Sequence, residues 1–123
     1  MRKVSIALVV LTLAALASCS LFPVKVDSIT VTTGVDFSGQ VSANTGYQVQ
    51  FIATVQPSNA TFQAVRWSVT NQDGSATSDF VIDSNGILTC TTTNGGHIRI
   101  AAEAMDGSGA KGTLDEDFSN GAA

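Results

Sequence analysis

Few side chains in this 123-residue chain are of a kind that does chemistry, and their spacing decides which kind. Nucleophilic catalysis needs a base within hydrogen-bond reach of a hydroxyl or thiol, with a third group orienting the base. The sole histidine, His97, follows two glycines at an outward position of an alternating run and has no cysteine beside it in a motif, so it reads as an ordinary surface residue. No enzyme activity is expected. Zinc requires three or four ligands at recognisable spacing, and one histidine with one core cysteine does not supply them. Asp73, Asp79, Asp83 and Asp106 lie near turns, where hard oxygen ligands can hold calcium. The calcium-loop pattern and its closing bidentate glutamate are absent, so these residues read as solvated turn carboxylates. Neither a metal nor a cofactor is expected. Asn59, Ala60 and Thr61 fit a glycosylation acceptor and read instead as turn chemistry.

The remaining reactive group is Cys19, and its position gives it a different chemistry. Arg2 and Lys3 precede an almost unbroken apolar run from Val4 to Leu16, the layout of a secretory signal. The run is shorter than the roughly 20 residues that a membrane-spanning helix needs. At its end Leu16, Ala17, Ser18 and Cys19 resemble a bacterial lipobox. The resemblance implies cleavage between Ser18 and Cys19 and attachment of palmitate-type acyl chains to Cys19, through a thioether and an amide. Two or more chains, at about 0.8 kcal/mol per buried methylene, make a stable anchor where one does not. The competing reading is a plain secretory signal cut near Ala17, leaving Cys19 a free thiol. Ser20, standing where lipoproteins retained at the inner membrane carry Asp, points to the outer membrane or cell surface.

Removing residues 1–18 changes what the composition says. The 44% hydrophobic content and mean hydropathy of +0.24 include the leader. Residues 19–123 suffice for one domain. They carry four basic residues, Lys25, Arg66, Arg99 and Lys111, against ten acidic ones, a formal charge of −6. A nucleic-acid partner is excluded on that balance, because phosphate binding needs a basic patch. Membrane affinity must come from the acyl chains. With Cys19 acylated, Cys90 has no partner for a disulfide, and stability must come from packing.

The elements that carry these residues are strands. From Lys25 onward apolar residues recur at every second position, rich in Val, Ile and Thr and interrupted by Gly, Asn, Asp and Ser. The inward sets are Ile29 and Val31; Val49, Phe51, Ala53 and Val55; Val65, Trp67 and Val69; Phe80 and Ile82; Leu88 and Cys90; and Ile98, Ile100, Ala102 and Ala104. Ala101 belongs to the outward set. The expected core includes Trp67, Phe51, Val55, Ile82, Leu88, Cys90, Ile98 and Ile100. Asp83 to Gly86 and Asp106 to Gly109 supply turn residues that tolerate positive φ. Six or seven such strands in this length imply an all-β antiparallel sandwich.

Taken together, "SITVT", "ATVQPSNAT" leading to "VRWSV", "VIDSNGILT" and "AMDGSGAKG" resemble the bacterial immunoglobulin-like domain of group 2, from about Val26 to Gly109. Trp67 takes the place of that family's core tryptophan. The segment between Gly34 and Gly46 departs from the family, as does the end, where Asp115, Glu116 and Asp117 follow Leu114. The resulting division is a signal peptide at 1–18, a lipidated tether at 19–25, a sandwich at 26–114 with a short or missing last strand, and an acidic flexible tail at 115–123. The resemblance implies a lipid-anchored surface module in the bacterial envelope that binds a protein or glycan. Two alternatives stand beside it. One is a structural component assembling through an open sheet edge; the other is a carbohydrate-binding module using Tyr47, Phe37 and Phe62.

Overall fold

The computed structural model describes residues 23–39 and 41–121, so Ser18, Cys19 and the leader lie outside it. Eight strands follow in chain order: β1 (Ser28–Thr33), β2 (Ser42–Ala43), β3 (Gln48–Gln56), β4 (Val65–Asn71), β5 (Phe80–Ile82), β6 (Ile87–Cys90), β7 (Gly96–Ala104) and β8 (Lys111–Asn120). They form two four-stranded sheets, β1-β3-β6-β5 and β2-β8-β7-β4. The first order and the β8-β7-β4 part of the second are those of a constant-type immunoglobulin sandwich. All pairings are antiparallel except that of β2 with β8.

Alternation explains why these segments pair as they do. A one-residue slip of register would turn every apolar side chain to solvent, so burial fixes the pairing. Ile29 and Val31 of β1 stand opposite Val55 and Ala53 of β3, while Val69 of β4 stands opposite Ile100 of β7. Phe51, Phe80, Leu88, Ile98, Ile100, Val49 and Cys90 fill the space between the sheets. The ring of Phe118 lies 5.0 Å from Phe80 and 5.2 Å from Phe37, the latter edge to face. Such aromatic pairs add about 0.5–1.5 kcal/mol each beyond the area they bury.

The last strand is the main correction to the sequence reading. It is neither short nor missing: β8 runs ten residues, the longest strand of the eight, and the supposed flexible tail forms most of it. Its alternation continues through the acidic triplet. Asp115 and Asp117 face outward opposite Arg99 and His97 of β7, Glu116 faces inward opposite Ile98, and Phe118 is buried. The Arg99 guanidinium opposite Asp115 and the His97 ring nitrogen opposite Asp117 give the run of carboxylates cross-strand partners, which is what allows it to lie in a sheet.

Smaller corrections concern the core and the strand count. Trp67, Val55 and Ile82 pack against the core but are half-buried. For Trp67 and Ile82 the cause is position. β4 and β5 are the outermost strands on the same side of the two sheets, and Trp67 and Ile82 line the open groove between them. The indole of Trp67 closes part of that gap and packs against Gly86, where a Cβ would lie 2.9 Å from its ring and 2.7 Å from the Phe51 carbonyl oxygen. Gly86 also has a φ of 80°, so contact and backbone both require glycine there. Ala101 is buried despite facing outward, because it sits on central β7 between Ser68 and Thr113. The eighth strand is β2, in the segment that departs from the family pattern. It carries the chain from the first sheet to the second, and the Ser119 N–H donates to the Val41 carbonyl beside it at 2.8 Å.

Candidate binding surfaces

The turn carboxylates are occupied by their own turns. Asp83 accepts from the N–H groups of Asn85 and Ile87 at 2.8 and 3.0 Å, closing the β5–β6 hairpin. Asp73 accepts from the Ser75 N–H at 2.9 Å and the Ser75 hydroxyl at 2.6 Å, which hold its carboxyl below the usual range. Asp79 accepts from the Thr92 hydroxyl at 3.2 Å. Asp106 accepts from the N–H of Ser108 and, across 80 positions of sequence, from the N–H of Val26, each at 2.9 Å. Among the described residues no three of His, Cys, Asp and Glu converge on a point that could hold a metal ion.

Asp106 therefore ties the start of the domain to the β7–β8 turn, and its titration reports the tie. Hydrogen bonds from Ser108, then those from Val26, lower its carboxyl from 3.8 to about 2. A depressed pKa contributes stability that is complete above the unfolded value and is lost as pH falls through the folded value. We predict that Asp106→Asn lowers the melting temperature at neutral pH and flattens the acid limb of the stability curve between 3.8 and about 2. Thermal unfolding at a series of acid pH values checks this, and an unchanged acid limb would contradict it.

His97 is exposed, and its Nδ1 lies 2.6 Å from an Asp117 oxygen. Gln72 Nε2 donates to the same oxygen at 3.1 Å. A histidine oriented by a carboxylate is two-thirds of a catalytic triad. Among the described residues no hydroxyl or thiol is hydrogen-bonded to the ring, and Cys90 is 1% exposed inside the core. Burial raises the Cys90 thiol above its ordinary pKa, which removes nucleophilic thiolate. The pair instead borders an open hollow of about 360 Å³ lined by Asn71, Gln72, Asp73 and His97. The sequence reading placed His97 outward and missed this assembly. The hollow exists because the turn after β4 folds back beside the first residues of β7, with the Gln72 N–H donating to the His97 carbonyl at 3.0 Å.

The two outer sheet faces differ in charge. On β4, β7 and β8 the outward residues form cross-strand ion pairs: Arg66 with Glu103 at 3.4 Å, and Arg99 with Asp115 through two hydrogen bonds of 2.8 and 3.1 Å. The second pair lowers the Asp115 carboxyl and raises the Arg99 guanidinium. On β1, β3, β6 and β5 the outward residues are Ser28, Thr30, Thr32, Gln48, Gln50, Ile52, Thr54, Gln56, Val81, Ile87 and Thr89, without a single charge.

Between β4 and β5 a groove of about 310 Å³ is lined by Val65, Trp67, Ile82 and Met105, with Arg66, Asp83 and Ser84 at its rim. The three aromatics singled out for sugar stacking do not form a platform. Tyr47 immediately precedes β3 and Phe62 lies in the loop after it, so the nine residues of β3, about 30 Å of strand, separate them. Phe37 is turned against Phe118.

The outer edge of β8 is guarded. Only Ser119 and Asn120 pair with β2, and along the rest of the strand Glu116 points inward between two outward carboxylates. Burial, with Asp117 and Asp115 adding to it, pushes the Glu116 carboxyl above its usual value. An inward charge of this kind disfavours pairing with a further strand.

The class that the fold and these surfaces define is a single immunoglobulin-like sandwich offering exposed turns and sheet faces. The chain belongs to the family of bacterial Ig-like domains (group 2), which it matches over residues 25–113. The match ends three residues into β8, at the point where the acidic triplet approaches. No curated protein matches the chain.

Proposed function

We propose that this protein is a non-catalytic, lipid-anchored module of the bacterial envelope, held at the outer membrane or cell surface by acyl chains on Cys19 and binding a protein or glycan partner. The observation that carries the reading is the lipobox-like run from Leu16 to Cys19, followed five residues later by Val24, whose N–H donates to the Thr61 hydroxyl of the Ig-like domain. Support for a binding role comes from the family itself, since the chain matches a bacterial Ig-like domain over residues 25–113. The hollow of Asn71, Gln72, Asp73 and His97 is one concave surface where a partner could dock. Assembly through an unfilled last strand loses its motive, because β8 is formed and its edge is guarded.

Cys19→Ser tests the anchor. Losing two or three acyl chains, each contributing about 0.8 kcal/mol per buried methylene, is expected to reduce the membrane-bound fraction more than about a hundredfold. Fractionation by sedimentation measures it, and equal membrane retention of both proteins would refute the anchor. Cells displaying the protein are expected to bind an envelope or host surface component better than cells displaying an unrelated lipoprotein. Equal binding would remove the adhesive part of the reading.

A further inference from the structure

The N-terminal segment leaves the sandwich at the end where the β3–β4 and β7–β8 connections lie. Val24 exchanges hydrogen bonds with Thr61 at 2.7 and 2.9 Å, Val26 is bound to Asp106, and Lys25 Nζ donates to the Asp106 carbonyl at 2.8 Å. Phe62 follows Thr61 and Met105 precedes Asp106; both are large apolar side chains, 48% and 50% exposed. Charge is distributed unevenly about this end. Strand register and the β4–β5 groove place Asp27, Asp83, Glu103 and Asp106 in its half of the molecule, balanced by Lys25, Arg66 and Lys111, a net −1. The far half holds Asp36, Asp73, Asp79, Asp115, Glu116 and Asp117 against Arg99 alone, a net −5.

We infer that the end bearing Phe62 and Met105 is a membrane-apposed surface whose partner is a lipid bilayer, with both side chains seated in the interfacial region. The inference rests on the proposed lipid anchor at Cys19. Five residues from Cys19 to Val24 span at most about 18 Å. The ten residues of β8 extend about 33 Å, so the tether is shorter than the domain is long. A domain held so closely must turn one surface to the bilayer. The end from which the chain departs is nearly neutral and apolar at its tips, while an anionic leaflet repels the far half. The orientation leaves the hollow of Asn71, Gln72, Asp73 and His97 facing away from the membrane.

The test uses the full chain, made in a bacterium, purified from membranes and reconstituted in vesicles of phosphatidylcholine with phosphatidylglycerol as the minor component. Phe62→Trp probes the apposed end, Thr93→Trp the far end and Ile52→Trp the uncharged sheet face, with Trp67 as the common background. All three positions are exposed. With brominated acyl chains the signal from position 62 is expected to fall about twofold, as for a side chain buried ~5–10 Å into the headgroup boundary, and the other two signals to stay unchanged. Vesicle flotation is measured on the same samples. Protein that floats without quenching at position 62, or with greater quenching at 52 or 93, overturns this inference and leaves the anchor standing. Position-62 emission that instead depends on protein density in unbrominated vesicles assigns the surface to a second copy, and also overturns it. Protein that does not float overturns the anchor, and the inference with it.

Discussion

A chain ending at Leu114 is expected not to fold. Residues 115–123 look dispensable by composition, yet they contain most of β8, the buried Phe118 and the residues with which β2 pairs. Burying a phenylalanine of this kind is worth about 3–5 kcal/mol on truncation to alanine. Four of the eight register pairs between β7 and β8 go with it, from Gly96–Phe118 to Arg99–Asp115. Domains of this size hold only about 5–15 kcal/mol in total. Far-ultraviolet circular dichroism and urea titration of the shortened chain should therefore show no cooperative transition. Phe118→Ala in the full chain should keep the transition and lose about 3–5 kcal/mol. A shortened chain that unfolds cooperatively near the parent midpoint would contradict the role given to β8.

The second large effect is expected at Gly112. This glycine lies where β8 crosses close to β1 of the opposite sheet, and a Cβ on it would stand 2.2 Å from the carbonyl oxygen of Ile29 and 2.7 Å from its carbonyl carbon. Backbone atoms cannot rotate away as a flexible side chain can, so the two sheets must separate locally. Overpacking of this kind costs about 1–3 kcal/mol. Gly112→Ala should sit at the upper end of that range and lower the melting temperature by roughly 10–20 °C in a domain of about 100 residues. Gly39→Ala is the control, since nothing lies within 4 Å of its added carbon and its φ needs no glycine. Equal melting temperatures for the two variants would show that β1 and β8 are not in close contact.

These two sites also mark the boundary of what could be read from sequence. The β3 and β7 strands were legible because their inward positions are apolar from Val49 to Val55 and from Ile98 to Ala104, while their outward positions are polar except at Ile52 and Ala101. The hairpin at Asp83 was legible because its aspartate and Gly86 each have a local reason to be there. The β8 strand was not, because three consecutive carboxylates resemble a solvated tail until their partners are known. The signal was present all the same. His97 and Arg99 are spaced two apart, as are Asp115 and Asp117, and Phe118 supplies the apolar residue that a tail does not need.

The half-burial of Trp67 failed to show for a different reason. Alternation reports which face of a strand points inward, and says nothing of whether a further strand covers it. Trp67 points inward as expected but belongs to an outermost strand, and its ring borders the groove with Ile82 and Met105. The hollow at His97 is similarly non-local, because it joins the turn after β4 to the start of β7. Sequence pattern locates surfaces on strands more readily than it locates the places where loops from different strands meet.

The proposed lipidation of Cys19 is addressed most directly by intact-mass spectrometry of the protein purified from bacterial membranes. It predicts a mature chain that begins at Cys19, lacks residues 1–18 and is heavier than its polypeptide by a diacylglyceryl group and a further acyl chain. A mature polypeptide with no lipid on Cys19, or one beginning at another residue, would contradict it.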